Sequence, residues 1–551
     1  MSRIHPVYTE TAECQDCYKC VRYCPVKSIK ITDHHAAVIE DDCTLCGYCV
    51  TVCPSGAKKS RNDIEKVKSL LHSGKKVILS LAPSYRAAFP ELSASDIIGA
   101  VKSLGFSEVS ETALGAESVS RAVAGYLSSG GIRLSLSTAC PAAVRYIKRY
   151  KPELTEYFTP FPSPLVAHSH FLKETIPGAV VVFVGPCIAK KDESDLINNN
   201  VDAAITFEEL NRLFTEKGII PGKLKGEENF FPFTAGIGGL YPVDGGMIRG
   251  IAPIADNNKV QMITVSGLDN ICKSLETLKQ DSLGCNLFIE LLACSGGCIN
   301  GPRIGSKGSH LNRALAIESR NENSLINDRM RSAPYMNVSV SKLSESVIKK
   351  HSISEISEIL KSIGKIKPED ELNCGGCGYN DCRSLAAALL EGKAEDAMCV
   401  SYMRKLAQQK ANGLIKALPL GVVMVDSSLN IIDCNKSFES MFGRELPVAE
   451  YFAGVLRTGE DIVGREIAIG NKIYRLTLFP VEQKRIAGAV IMDITEPSLS
   501  KEAVIDKAQQ VIDRQMATVQ KIACLLGENA AETEILLKSL ITAFTVKQDE
   551  K

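Results

Sequence analysis

One cysteine motif, written twice, constrains this chain more than any other feature. Cys14, Cys17, Cys20 and Cys24, followed by Pro25, form C-x2-C-x2-C-x3-C-P, and Cys43, Cys46, Cys49 and Cys53, followed by Pro54, form it again 29 residues later. With 20 cysteines in 551 residues, such clustering reads as metal ligation in a compartment that keeps thiols reduced, because disulfide frameworks belong to small secreted domains. The start, MSRIHPVYTE, has no basic stretch leading into an apolar one, and apolar runs such as AVVVFVG are only strand-length. A cytoplasmic protein without a membrane span is therefore expected. Lys+Arg and Asp+Glu each number 64, giving a net charge of zero. There is no basic stripe or acidic tail, which argues against nucleic acid and anionic membrane as partners. The length suits about three to four domains.

The doubled motif resembles the bacterial two-cluster ferredoxins and places such a domain over 1–62. In that family three closely spaced thiolates wrap one 4Fe-4S cubane and the fourth reaches across to the other. The resemblance implies Cys14, Cys17, Cys20 and Cys53 on one cluster, and Cys43, Cys46, Cys49 and Cys24 on its mate. Zinc, which takes four ligands, leaves the last cysteine of each motif awkwardly spaced.

Over 63–365 the pattern becomes alternating strands and helices. VILSLAP (77–83), RLSLST (133–138) and AVVVFVG near Val181 read as buried strands, and SDIIGAVKSLGF as an amphipathic helix. An α/β region with a largely parallel sheet is expected, and sites in such sheets gather where strands end. Three cysteine-bearing segments follow that rule. RLSLSTACPAAV puts Cys140 just past a strand, VVVFVGPCIAKKDES does the same with Cys187, and NLFIELLACSGGCINGP with Cys294 and Cys298. Four thiolates converging on one crevice match what a cubane needs.

These three segments resemble, in the same order, the signature motifs of the iron-only (FeFe) hydrogenases. The resemblance implies an H-cluster: a 4Fe-4S cubane joined through one cysteine sulfur to a two-iron subcluster carrying CO, CN and a bridging dithiolate. By residue match Cys140, Cys187 and Cys294 bind the cubane and Cys298 is the bridging ligand. The glycines around Cys298 would let backbone pass close to inorganic atoms. Lys190, in PCxxK, matches the family lysine that donates to a cyanide as a charge-assisted pair; the alternative is a solvated lysine beside Lys191. Ser84, in LAPSYR, matches a serine expected near the other cyanide.

Departures from the family pattern are equally informative. Ala139 stands where catalytic members carry a second cysteine that relays protons, and a methyl group carries none. Gly185 and Leu292 replace methionines, and Gly301-Pro302 replaces a glycine-rich run. Slow turnover is the expected consequence. Glu193, three residues after Lys190, matches a family position and belongs either to another proton route or to a salt bridge.

ELNCGGCGYNDCRSLAAALLEGKAEDAMCV, within 366–402, holds Cys374, Cys377, Cys382 and Cys399 as C-x2-C-x4-C-x16-C. It resembles the small single-cluster domain found beside redox enzymes of anaerobes and implies one more 4Fe-4S cluster. A structural zinc suits the same spacing. Cys272, Cys285, Cys434 and Cys524 have no matching partners and read as packing thiols. His34, His35, His168 and His170 show no ligand pattern. Residues 403–496 resemble a PAS sensor domain. NGLIKALPLGVVMVDSSLNIIDCNKSFESMFG reads as strand, turn, strand and helix, IYRLTLFPV and RIAGAVIMDITEP as later antiparallel strands, and Asn435, Phe438 and Gly443 fall at recurrent positions. Over 497–551, Ile505, Ala508, Ile512, Val519, Ile522 and Leu526 follow a seam spacing that suits a helical interaction or dimerisation segment.

The expected fold is thus multidomain α/β and α+β: ferredoxin-like domain, α/β hydrogenase domain, small cluster domain, PAS domain and carboxy-terminal helices. The whole is most similar to the sensory subgroup of FeFe hydrogenases. That resemblance implies slow, reversible splitting of H2 into protons and electrons. Its signal would pass through the clusters and the PAS region to a kinase, a phosphatase or an electron carrier, with a homodimer as one possible assembly. A metabolic hydrogenase, and a non-catalytic scaffold holding only a cubane, are the competing readings.

Overall fold

The computed structural model describes residues 4–129, 133–255, 260–278, 285–305, 308–319, 332–333 and 351–495. The chain divides into two compact units, Met1–Glu395 and Asp396–Lys551. The segment 497–551, with its expected seam and Cys524, lies outside the described residues.

The first unit opens with a small module in which β1 (Val7–Thr9) pairs antiparallel with β4 (Lys58–Ser60), while β2 (Ile29–Thr32) and β3 (His35–Val38) form a hairpin. Two short helices, Lys19–Arg22 and Tyr48–Val52, each carry the third cysteine of a motif, Cys20 in one and Cys49 in the other. Buried charges fasten this module to the central region. Arg61 Nη1 meets Asp195 at 2.8 Å, and Lys191, only 1% exposed, meets Asp63 at 2.9 Å and Glu209 at 2.8 Å. The lysine beside Lys190 is therefore an internal ion pair rather than a surface charge.

In place of one largely parallel sheet the central region builds two. β5 (Val77–Leu81), β6 (Glu108–Glu111), β8 (Val180–Gly185) and β9 (Ala203–Thr206) are ordered β6-β5-β8-β9 and all parallel. β7 (Leu134–Leu136), β10 (Val260–Ser266) and β11 (Asn286–Leu292) form a second parallel sheet, β10-β11-β7. Each sheet has its own apolar core, one centred on Leu79, Val182 and Ile205, the other on Leu136, Ile147 and Leu291. β5 and β8, apolar but for Ser80, are buried along their whole length, as strands covered on both faces must be. The helix Ala94–Ser103 starts where Ser93 accepts from Asp96 N and the Asp96 carboxylate accepts from Ser93 N.

The second unit is a five-stranded antiparallel sheet ordered β13-β12-β16-β15-β14: β12 Gly421–Asp426, β13 Ile431–Cys434, β14 Ile462–Ile469, β15 Lys472–Glu482 and β16 Ile486–Asp493. Asn435 caps the helix Lys436–Phe442 and bonds Val422 N, Leu420 O, Ile415 O and Phe438 N, so its polar groups serve the scaffold. The stretch NGLIKA, expected to open a strand, is instead the end of the helix Val400–Ala417. Nothing interrupts that helix before Pro419, which disfavours helical backbone at Leu418. The expected boundary between 402 and 403 falls inside it.

Candidate functional site

Three parallel strands deliver the central cysteines. Cys140 caps the helix Pro141–Tyr150 just beyond β7, with Pro141 in the first helical position, where its missing N–H costs nothing. Cys187 lies between β8 and the helix Ala189–Ser194, and Cys294 just past β11. Cys298 begins a single helical turn, Cys298–Asn300. Backbone bonds hold the loops together: Leu291 N donates to Ser137 Oγ at 2.9 Å, Ala293 N to Cys140 Sγ at 3.4 Å and Arg303 N to Pro186 O at 3.0 Å.

All four cysteines line one largely apolar cavity of about 100 Å³. Ala139, Leu292, Ala293, Phe183 and Tyr241 form much of the rest of its wall. Ala139 thus stands at the cavity, as the sequence expected. Gly185 is explained by its neighbour, since a Cβ there would lie 2.5 Å from the Phe183 ring. The glycines near Cys298 are required by their protein neighbours. Gly297 has φ +90°, and a Cβ would stand 2.2 Å from Pro242 O; at Gly301 it would stand 2.7 Å from the Pro186 ring.

Besides the cysteines, four polar side chains line this largely apolar wall: Thr112 and Tyr241, whose hydroxyls bond Ser80 and Ser120, and Ser84 and Lys190. Ser84 is 1% exposed, lines the cavity, and its Oγ has no hydrogen-bond partner among the described residues. Buried hydroxyls are rarely left so, and a ligand acceptor in the cavity would satisfy it. Lys190 also lines the cavity, donating to Ser163 Oγ at 2.8 Å and to the Glu193 carboxylate at 2.6 Å. Glu193 is therefore a salt-bridge partner of Lys190 and forms no part of the cavity wall.

Electrostatics bear on what the sulfurs can hold. Burial pushes the Cys187 thiol up to about 11, with neighbouring Cys140 adding and Lys190 opposing. Burial, then Cys140 and Cys187, drive Cys298 higher still, and burial with Cys298 and Cys187 does the same to Cys294. So many thiolates cannot share this space unless a strongly positive centre sits among them, as an iron-sulfur core does. The orphaned Ser84 hydroxyl, the Lys190 ammonium and the four sulfurs fit a cluster that also presents anionic acceptors.

The amino-terminal cysteines form two further sets. Cys14, Cys17, Cys20 and Cys53 line one small cavity, whereas Cys24 acts electrostatically on Cys43, Cys46 and Cys49. The structure thus brings the fourth cysteine of each motif to the other set. Cys14, Cys17, Cys20 and Cys53 surround a small cavity, and among the described residues no three His, Cys, Asp or Glu side chains converge on a single-ion position.

Cys46 also belongs to the wall of the central cavity, so the nearer amino-terminal set abuts the central one directly. Arg145 Nε donates to Cys43 O at 2.7 Å across that seam, and a Cβ on Gly47 would lie 2.6 Å from Pro302. On the opposite side, Lys27 Nζ donates to Gly378 O at 2.8 Å and Arg22 to Gly376 O at 3.0 Å, docking the Cys377 loop beside Cys24. Cys374, Cys377 and Cys382 lie in the first unit, and Cys399 caps the helix Val400–Ala417 in the second.

Sequence reasoning missed Ser163, Tyr241 and Glu290. Ser163 was signalled by the Ser-Pro that starts the helix Pro164–Thr175, and Tyr241 by its glycine-rich loop. Glu290, 1% exposed on β11, accepts from Met247 N at 3.0 Å and Thr264 Oγ1 at 2.8 Å, and burial lifts its carboxyl to about 7. Of the unassigned histidines, His168 is fully buried between Ser80 and Ser110, and burial holds it down to about 3, so it packs as neutral imidazole.

Comparison with known proteins agrees with this geometry. Residues 75–302 match the family described as iron only hydrogenase large subunit, C-terminal domain; 13–57 match a 4Fe-4S dicluster domain, 370–401 an Fe-S cluster domain, and 409–471 a PAS domain. The chain is 29% identical over 322 residues to the NADP-reducing hydrogenase subunit HndD of Solidesulfovibrio fructosivorans, covering 47% of this chain and 55% of that one. It is 26% identical over 307 residues to iron hydrogenase 1 of Clostridium pasteurianum, covering 45% and 53%. The chain therefore spans about half the length of these two relatives. A solved FeFe hydrogenase, HydA(deltaEFG), is similar at 19% identity and a TM-score of 0.38, covering 48% of this chain and 91% of its own.

Proposed function

We propose, from the premise that residues 75–302 form the C-terminal domain of an iron-only hydrogenase large subunit, that this chain is a slow, sensory hydrogenase. It splits H2 reversibly into protons and electrons and reports the outcome through its PAS domain to a partner, a kinase, a phosphatase or an electron carrier. The observation that carries the reading is the cavity itself, where Cys140, Cys187, Cys294 and Cys298 meet the orphaned Ser84 hydroxyl, Lys190 and Ala139.

When bound, the two-iron subcluster supplies an open Lewis-acidic site for hydrogen, and the cubanes supply one-electron steps. This chain's residues do the rest. Cys140, Cys187 and Cys294 would hold the cubane, and Cys298, at the start of its helical turn, would be a ligand to both parts. Lys190, held by Ser163 and Glu193, keeps its ammonium at the wall, where it pairs with an anionic ligand, and Ser84 donates from the other side. Phe183, Leu292 and Tyr241 exclude water. Cys24, Cys43, Cys46 and Cys49 would hold one further cubane at the wall that Cys46 shares with the central cavity, and Cys14, Cys17, Cys20 and Cys53 another, and these would supply one-electron carriers. Ala139 offers no proton acceptor, so the local proton path is interrupted, and response takes precedence over flux.

The test uses the full chain loaded with the synthetic two-iron complex. Under H2 it is expected to reduce a viologen dye slowly, and amide exchange in residues 421–493 is expected to change between H2 and argon. No hydrogen-dependent reduction contradicts the hydrogenase reading and leaves an electron-conducting or assembly scaffold. Reduction with unaltered PAS exchange contradicts the sensory part alone.

A further inference from the structure

Lys58 is an unusual lysine. It sits on β4, is 2% exposed, and its ammonium donates to Thr9 Oγ1 and Ala36 O, both neutral acceptors. Among the described residues it meets no carboxylate. A buried ammonium with only neutral partners keeps most of its desolvation cost, so an anion close by is required to offset it. The side chain lines the small cavity of Cys14, Cys17, Cys20 and Cys53, and its own backbone N–H bonds the Cys53 sulfur.

We infer that Lys58 is the buried counter-cation of the amino-terminal clusters and sets their reduction potential. Each one-electron reduction adds a negative charge to a thiolate-bound cluster without changing its ligands. A fixed positive charge at short range therefore stabilises the reduced form more than the oxidised form, and in a dry site this bias is strong. The couple of a cluster held by Cys14, Cys17, Cys20 and Cys53 would thereby be moved to more positive potential. Lys58 is thus a positioning residue for charge and not a ligand. The inference rests on the amino-terminal clusters alone and stands whether or not the central site handles hydrogen.

The experiment is a potentiometric titration of the full chain with its iron-sulfur clusters in place, reduced stepwise by dithionite and followed by electron paramagnetic resonance. Lys58→Met, which keeps the length of the side chain without the charge, is expected to lower the midpoint of an amino-terminal couple. The expected size is about a tenfold fall in the reduced-to-oxidised ratio at fixed potential, which for one electron is about 59 mV. Thr9→Val removes one acceptor and keeps the charge, so its midpoint should move far less. Equal midpoints in wild type and Lys58→Met, with clusters intact in both, overturn the proposal. Should the variant fail to assemble clusters, pulsed resonance on the unaltered protein grown with 15N-lysine decides. A lysine nitrogen coupled to the reduced clusters supports the assignment, and its absence overturns it.

Discussion

The amino-terminal cradle and the central cavity both gather cysteines, yet they are built on opposite plans. In the cradle, eight sulfurs come from a span of 40 residues, and each set is mostly one short motif. In the central cavity, four sulfurs come from three strand ends between Cys140 and Cys298, and the walls are largely apolar, with Ser84 and Lys190 among their few polar side chains. A carrier of electrons needs sulfur and a tuned charge. A composite centre needs sulfur, an empty flank and donors for ligands that are not sulfur, and only a fold can assemble those.

Removing the Cys298 sulfur, proposed above as the ligand shared by both parts of the centre, should break this contrast most completely. Cys298→Ala is expected to abolish retention of the two-iron complex and all hydrogen-dependent dye reduction while leaving the amino-terminal clusters spectroscopically unchanged. Loss of those clusters as well would show that the two regions are not independent. Ala139→Cys is expected to raise turnover, by up to about 100-fold if a proton relay is restored. An unchanged rate in a protein that retains its full iron content would place the bottleneck elsewhere. Lys190→Met should lower retention of the two-iron complex or activity by about 10- to 100-fold, the usual effect of losing a partner just outside the ligands. The matching change in the cradle, Lys58→Met, should move a potential and leave central iron content alone.

The smallest expected effect concerns pH. Burial lifts Glu290 to about 7 in the folded chain, above the ordinary glutamate value. The native state therefore holds this proton more tightly than the unfolded chain. The associated stability is fully present below the unfolded value and is lost as pH rises from about 4 toward 7, by about 3 kcal/mol at most. Glu290→Gln should flatten that slope in denaturant titrations; an unaltered slope would show that Glu290 ionises normally.

Legibility in the sequence followed the same division. The doubled motif was legible because its cysteines lie close together in sequence, and the resemblance to two-cluster ferredoxins implied how they divide into sets. The central cysteines were readable as strand-end residues, but the partition into two sheets was not, since β7 finds its partner β11 about 150 residues downstream. Ser163 and Glu290 escaped for a related reason: Ser-Pro signals only a helix start, and a glutamate inside an apolar strand signals nothing, until tertiary contacts bring Lys190 to one and Thr264 to the other. In the second unit the strands from Gly421 onward followed their alternation, but the helix through Ala417 overrode it, because no breaker precedes Pro419.

Infrared spectroscopy of the reconstituted full chain, after exposure to the synthetic two-iron complex and removal of excess, tests the central claim most directly. Sharp CO and cyanide bands, absent in Cys298→Ala and shifted in Lys190→Met, are the expected result. A chain whose iron and sulfide content proves every cubane intact, yet which shows no such bands, would contradict a composite iron centre at this cavity.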